Sequence, residues 1–146
     1  MEYLREFLVL KEGGKVLYCN SSELIKDEIL FGGFLEAINS FYNISLKDDL
    51  RQIEGNVLRI SFLTKLGCQF IGISSMNDSC NDALEELQFF TNRFVELFPE
   101  ILNKDNENDV RVFQRFNSEI IKTKKDYLGK GFESNYLSYL LESEDW

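Results

Sequence analysis

The chain contains no histidine. That absence excludes a serine–histidine–aspartate triad and a cysteine–histidine pair, because both need an imidazole to carry the proton. Proline occurs once and glycine nine times in 146 residues, too few for a linker-like or disordered chain. Cysteine occurs three times, at Cys19, Cys68 and Cys80. An odd, scattered set predicts neither a disulfide framework nor the usual structural zinc site, but free thiols in a reducing compartment. No stretch approaches the roughly 18 apolar residues that begin a membrane span. The segment Met1-Glu2-Tyr3-Leu4-Arg5-Glu6 is charged and lacks the apolar run of a secretory signal, so the expected location is cytoplasmic. Positive charge is also scarce: 16 Lys and Arg stand against 25 Asp and Glu, a net charge of −9. Such a chain repels nucleic acid and anionic lipid. The densest basic stretch, Lys122, Lys124 and Lys125 with Lys130 beyond, reads as a solvated helix face.

What the chain has in quantity is apolar side chain: 44% hydrophobic residues and 13 Phe. A chain of this length buries roughly 70% of its unfolded surface, enough for one core without a metal or disulfide staple. Phe7-Leu8-Val9-Leu10 and Val16-Leu17-Tyr18-Cys19 flank Glu12-Gly13-Gly14 and read as a hairpin. Both strands are apolar on alternate faces, so both faces of their sheet should be covered. Ser22 is the favoured N-cap of a helix over about 23–42. Its expected core stripe is Leu30, Phe34, Ile38 and Phe41, widened by Phe31, Leu35 and Tyr42. Gly32-Gly33 interrupts that helix at about 1 kcal/mol each relative to Ala, which predicts close approach to a sheet. Residues 43–48 read as a loop, and 50–54, 57–64 and 68–74 as a three-stranded meander.

Ser79 with Asp82 resembles a capping box for a second helix over 82–98, with Leu84, Leu87, Phe90, Phe94, Leu97 and Phe98 as its stripe. Asp109 caps a third, carrying Val112, Phe113, Phe116, Ile120 and Ile121 and running out near Leu128. The hinge Gly129-Lys130-Gly131 leads to an amphipathic stretch with Phe132, Tyr136, Leu137, Leu140 and Leu141. The order is ββαβββαα, and the apolar faces of the first strands ask for three layers. Residues 1–128 form the domain, and 129–146 an extension that is either a further core helix or a segment folding back into a groove.

Local motifs do not add chemistry. Gly13-Gly14-Lys15 is followed by Val16, where a phosphate loop needs Ser or Thr. Asp105, Glu107 and Asp109 alternate like a calcium loop, but Val110 and Phe116 stand where Gly and Glu are required. Asp48-Asp49 and Phe31-Gly32-Gly33-Phe34 read as a strand entrance and as helix packing. No cofactor and no metal is expected.

The element order, the hairpin Glu12-Gly13-Gly14-Lys15-Val16-Leu17-Tyr18 and the helix segment Gly33-Phe34-Leu35-Glu36-Ala37-Ile38 resemble the longin family. The resemblance covers roughly residues 4–128. It implies an α-β-α sandwich with a five-stranded antiparallel sheet, of longin or profilin type. The related roadblock family has a permuted order that begins with a helix. The implied role is non-catalytic: a dimerising platform for small GTPases in trafficking-like processes, with a coat or tether subunit and a small-molecule sensor as alternatives. Implied partners are the protein itself, or another longin or roadblock domain, and a small GTPase. The expected interaction surface joins the second-strand edge, Lys15, Leu17 and Cys19, to Ile29, Phe31 and Tyr42 of the first helix.

Overall fold

Strand β1 (Leu4–Lys11) turns through Gly13 and Gly14, both at positive φ, into β2 (Val16–Cys19). Helix α1 (Glu28–Leu46) follows, then the meander β3 (Gln52–Glu54), β4 (Leu58–Lys65) and β5 (Cys68–Ser75). Helix α2 (Cys80–Leu97) and a 3-10 helix (Val110–Arg115) close the described fold. The computed structural model describes residues 1–20, 25–99, 110–118 and 120. Ser22, the third helix beyond Ile120, the hinge at 129–131 and the segment carrying Phe132, Tyr136, Leu137, Leu140 and Leu141 lie outside those residues.

The five strands form one antiparallel sheet in the order β2-β1-β5-β4-β3. Period two divides β1 between two cores. Phe7 and Val9 join Tyr18, Phe70, Leu87, Phe90, Phe94, Phe98 and Phe116 beneath α2 and the 3-10 helix. Leu8 and Leu10 join Ile25, Leu35, Phe62, Ile71 and Ile73 on the α1 side. The three layers and the five-stranded antiparallel sheet are as expected. Ser79 caps α2, its side chain accepting from the Asp82 N–H at 3.3 Å.

Helix α1 departs from its expected bounds. Its N-cap is Asp27, which accepts from the Leu30 N–H at 3.0 Å, and it continues to Leu46 through residues expected to be loop. Lys47 ends it in the left-handed conformation at φ 53. Of the two adjacent glycines, only Gly32 answers to close packing, and its neighbour is the hairpin turn. A Cβ on Gly32 would stand 2.6 Å from the Gly14 carbonyl oxygen and 3.2 Å from Val16 Cγ2. At Gly33, no described atom lies within 4 Å of that position. Gly32→Ala is therefore expected to destabilise the domain by about 1–3 kcal/mol through overpacking. Gly33→Ala should instead stabilise the fold by up to about 1 kcal/mol through helix propensity. Paired thermal melts of the two variants check the opposite signs.

Candidate protein-interaction surface

The 19 residues of α1 carry only two charges, Glu28 and Glu36. A helix so apolar has two candidate buried faces, and packing selects between them. Gly32 against Gly14 and the fully buried Leu35 fix the rotation. The inward stripe is then Gly32 and Leu35, flanked by the half-buried Phe31, Ile38 and Tyr42. Leu30, Phe34 and Phe41, expected in the core, face outward instead, with exposures of 71%, 55% and 66%. Ile44 at 76% and the exposed Ala37 complete a line 30, 34, 37, 41, 44. Its alternating steps of four and three are the spacing of a coiled-coil seam.

Helix α1 leaves the β3–β4 side of its sheet face partly open. An apolar cavity of about 780 Å³ lies there, lined by Leu30, Phe31, Phe34, Ile53, Leu58 and Ile60, with Lys26, Asp27 and Glu54 also contributing. Leu30 and Phe34 belong to both the seam and the cavity, so the two form one continuous apolar surface. Strand β3 is the adjoining sheet edge.

The side chains expected at the surface are dispersed. Lys15 is exposed in the hairpin. Leu17 is buried in the α2-side core, so it offers only backbone to the β2 edge. Cys19 is half-buried, its thiol donating to Glu6 Oε2 at 3.8 Å. Ile29 is exposed in the first turn of α1, Phe31 lines the cavity, and Tyr42 lies half-buried further along the helix. Phe34, Ala37, Phe41 and Ile44 were not assigned to this surface; the seven-residue recurrences 30-37-44 and 34-41 are the signal that marks them.

Displaced pKa values lie away from this surface. Burial is the first cause of the upward shifts at Tyr3, Tyr18, Cys68 and Glu86. The Tyr18 hydroxyl donates to Asn117 Oδ1 at 2.6 Å, consistent with a structural role. Among the described residues, no cluster of three or more His, Cys, Asp or Glu is placed to hold a metal ion. No described helix is long and apolar enough to cross a membrane. The chemistry on offer at α1 is apolar contact.

The family described as the first longin domain of FUZ, MON1 and HPS1 matches residues 5–120. Among solved structures, a roadblock/LC7 domain from Streptomyces avermitilis is similar with a TM-score of 0.54 at 12% identity, over 66% of this chain and 85% of that one. Myxococcus xanthus MglB gives a TM-score of 0.54 at 8% identity, with the same coverage of 66% and 85%. Likeness at such identity concerns the fold alone. No curated protein matches the chain.

Proposed function

The chain belongs to the family of the first longin domains of FUZ, MON1 and HPS1, and on that premise we propose that it works by binding other proteins through the outward face of α1. The observation that carries this reading is the exposure of Leu30, Phe34, Phe41 and Ile44 on one helix face. Burying such a side chain is worth about 1.5–3 kcal/mol, and the α1 seam leaves that energy unused within the described chain. Contiguous exposed apolar surface of this kind marks contact sites. The longin resemblance supplies the finer proposal: a platform for a small GTPase in a trafficking-like process, with the β2 edge at Lys15 and Cys19 as a second contact.

The test uses the purified protein as bait in lysate from its native source, with GDP and with a non-hydrolysable GTP analogue. A Phe34→Glu/Phe41→Glu variant runs beside it. A carboxylate forced into an apolar contact leaves a charge without its water. Specific retention should fall by at least about tenfold in the variant, or ~1.4 kcal/mol. Nucleotide-dependent retention of a small GTPase supports the regulatory role, whereas retention of large assembly subunits with either nucleotide favours a coat or tether subunit. A retained set unchanged by the variant removes α1 from the function. The cavity of about 780 Å³ favours one second reading, a small-molecule sensor, since its size lies in the ligand-pocket range. A metabolite that raises the melting temperature would support it.

A further inference from the structure

We propose that the cavity between α1 and the β3–β4 side of the sheet holds a single long-chain carboxylate, its hydrocarbon tail against the apolar walls and its carboxylate at Lys26. This rests on the reading of the cavity as a small-molecule pocket and names the ligand's chemistry. The sheet supplies a continuous apolar floor. Register pairs Ile53 with Ile60 and Ile60 with Ile73, so three isoleucines stand in one row across β3, β4 and β5. Leu58 lies two residues from Ile60, on the same face. Helix α1 forms the opposite wall with Leu30, Phe31 and Phe34. Its buried positions are Gly32 and Leu35, and Ile53, Leu58 and Ile60 of the floor stay half-buried.

The polar groups at the cavity decide the class of ligand. None of the described lining residues carries a hydroxyl or amide side chain. A sugar, nucleotide or amino acid would give up its water there without replacement hydrogen bonds. A hydrocarbon tail has no such bonds to lose. Charged residues line the cavity at three positions, Lys26, Asp27 and Glu54. Asp27 is committed to the Leu30 N–H at 3.0 Å. Glu54 follows Ile53 and so turns to the other face of the sheet, where it accepts from Gln52 Nε2 at 2.8 Å and lies 4.0 Å from Arg59 Nε. Lys26 is exposed, and none of the described residues pairs with it. One ammonium beside an apolar cavity matches one carboxylate on one alkyl chain.

Size and charge favour a single chain taken from water over a bilayer. The cavity of about 780 Å³ falls within the roughly 300–1,000 Å³ of pockets that enclose one small molecule. A chain of net charge −9 is repelled by an anionic bilayer, whereas Lys26 offers local attraction to one small anion. Leu30 and Phe34 are 71% and 55% exposed, so a tail in the cavity covers apolar surface that the described chain leaves in water. Each CH₂ that enters such a cavity should tighten binding by about fourfold, and the gain should stop once the tail fills it.

Isothermal titration of the full chain with octanoate, decanoate and dodecanoate, each kept below its micelle concentration, tests this. Binding at one site is expected, tightening along the series by about fourfold per CH₂. The matching alcohols should bind about fivefold more weakly, the upper range for one exposed ion pair. Lys26→Gln should remove that difference by weakening the carboxylates and leaving the alcohols unchanged. Leu30→Glu sets a charge in the apolar wall and should abolish binding of both series. Lys26 and Leu30 are both exposed, so both variants should still melt cooperatively. Carboxylates that fail to bind, that bind Lys26→Gln as tightly as the wild type, or that are indifferent to Leu30→Glu overturn the proposal. If only the alcohols bind, or a different metabolite raises the melting temperature of the wild type but not of Leu30→Glu, the cavity remains a ligand pocket and the ligand class alone falls. If no compound of any of these kinds binds, both readings fall.

Discussion

Phe94→Ala is expected to lower the free energy of unfolding by about 3–5 kcal/mol, the range for a large aromatic deleted from a packed core. Phe94 is fully buried, and six rings surround it with centroids 4.8–6.3 Å away. They come from Phe7 of β1, Tyr18 of β2, Phe70 of β5, Phe98 just beyond α2, Phe113 of the 3-10 helix and Phe116 after it. Truncating the ring opens a cavity where five segments meet, and no single segment can move to fill it. A domain stable by roughly 5–15 kcal/mol is left marginal by such a loss. Phe34→Ala, the same change on the outward face of α1, should stay within about 0.5 kcal/mol in dilute solution. Urea denaturation followed by far-ultraviolet circular dichroism measures both. Equal losses at the two positions would mean that the faces of α1 are assigned wrongly.

That contrast shows what the sequence makes legible. In α2 the apolar stripe is flanked by Glu85, Gln88, Asn92 and Glu96, so only one face can turn inward, and Leu87, Phe90, Phe94 and Phe98 are buried as the spacing predicts; Ala83, Glu86 and Thr91 are buried beside them, while Leu84 and Leu97 are only half-buried. Alternation in the meander similarly identifies its strands, to within two residues of the observed bounds. In α1 the polar residues are too few to mark an outside. Leu30, Phe34 and Phe41 satisfy helical periodicity as well as Phe31, Leu35 and Tyr42 do. What decides between them is a contact across 18 residues, Gly32 against Gly14, which local patterning does not contain. The N-cap is misplaced for a related reason: Ser22 and Asp27 both suit the role, and the choice depends on where the chain leaves β2. The side chains expected at an interaction surface are accordingly placed in different environments. Ile29 and Phe31 belong to the exposed or cavity-lining region, while Leu17 belongs to the core.

Glu86 bears on the other side of the sheet, and its removal should be the second large loss. Its side chain is fully buried under the start of β1. Oε1 accepts from the Leu4 N–H at 3.0 Å and the Tyr3 N–H at 3.3 Å; Oε2 accepts from Glu2 at 3.0 Å and Tyr3 at 3.1 Å. One carboxylate thus fastens the first strand to α2. Glu86→Ala strips these donors of their acceptor, and buried or partly buried N–H groups left unpaired cost about 1–3 kcal/mol each. A total loss of about 3 kcal/mol is expected, with fraying of β1 visible as faster amide exchange at Leu4. Glu86→Gln should lose less, since one oxygen remains to accept.

The pH dependence separates burial from hydrogen bonding at the same residue. Burial pushes the Glu86 carboxyl above its ordinary range, and the positive charge of the Met1 amino group and the N–H donors pull it back only in part. The unfolded chain then releases this proton near the usual Glu value of about 4.3, before the native state does. Through the interval up to the native value, the native state holds more proton, so the contribution of Glu86 to stability falls as pH rises and is constant above it. Subtracting the stability of Glu86→Gln from that of the wild type at each pH removes the other carboxylates from the comparison. The difference should be greatest at the acidic end and decline as pH rises. A difference that grows with pH instead would mean that the Met1 amino group and the N–H donors together outweigh burial, and that Glu86 is held as an anion by the start of the chain.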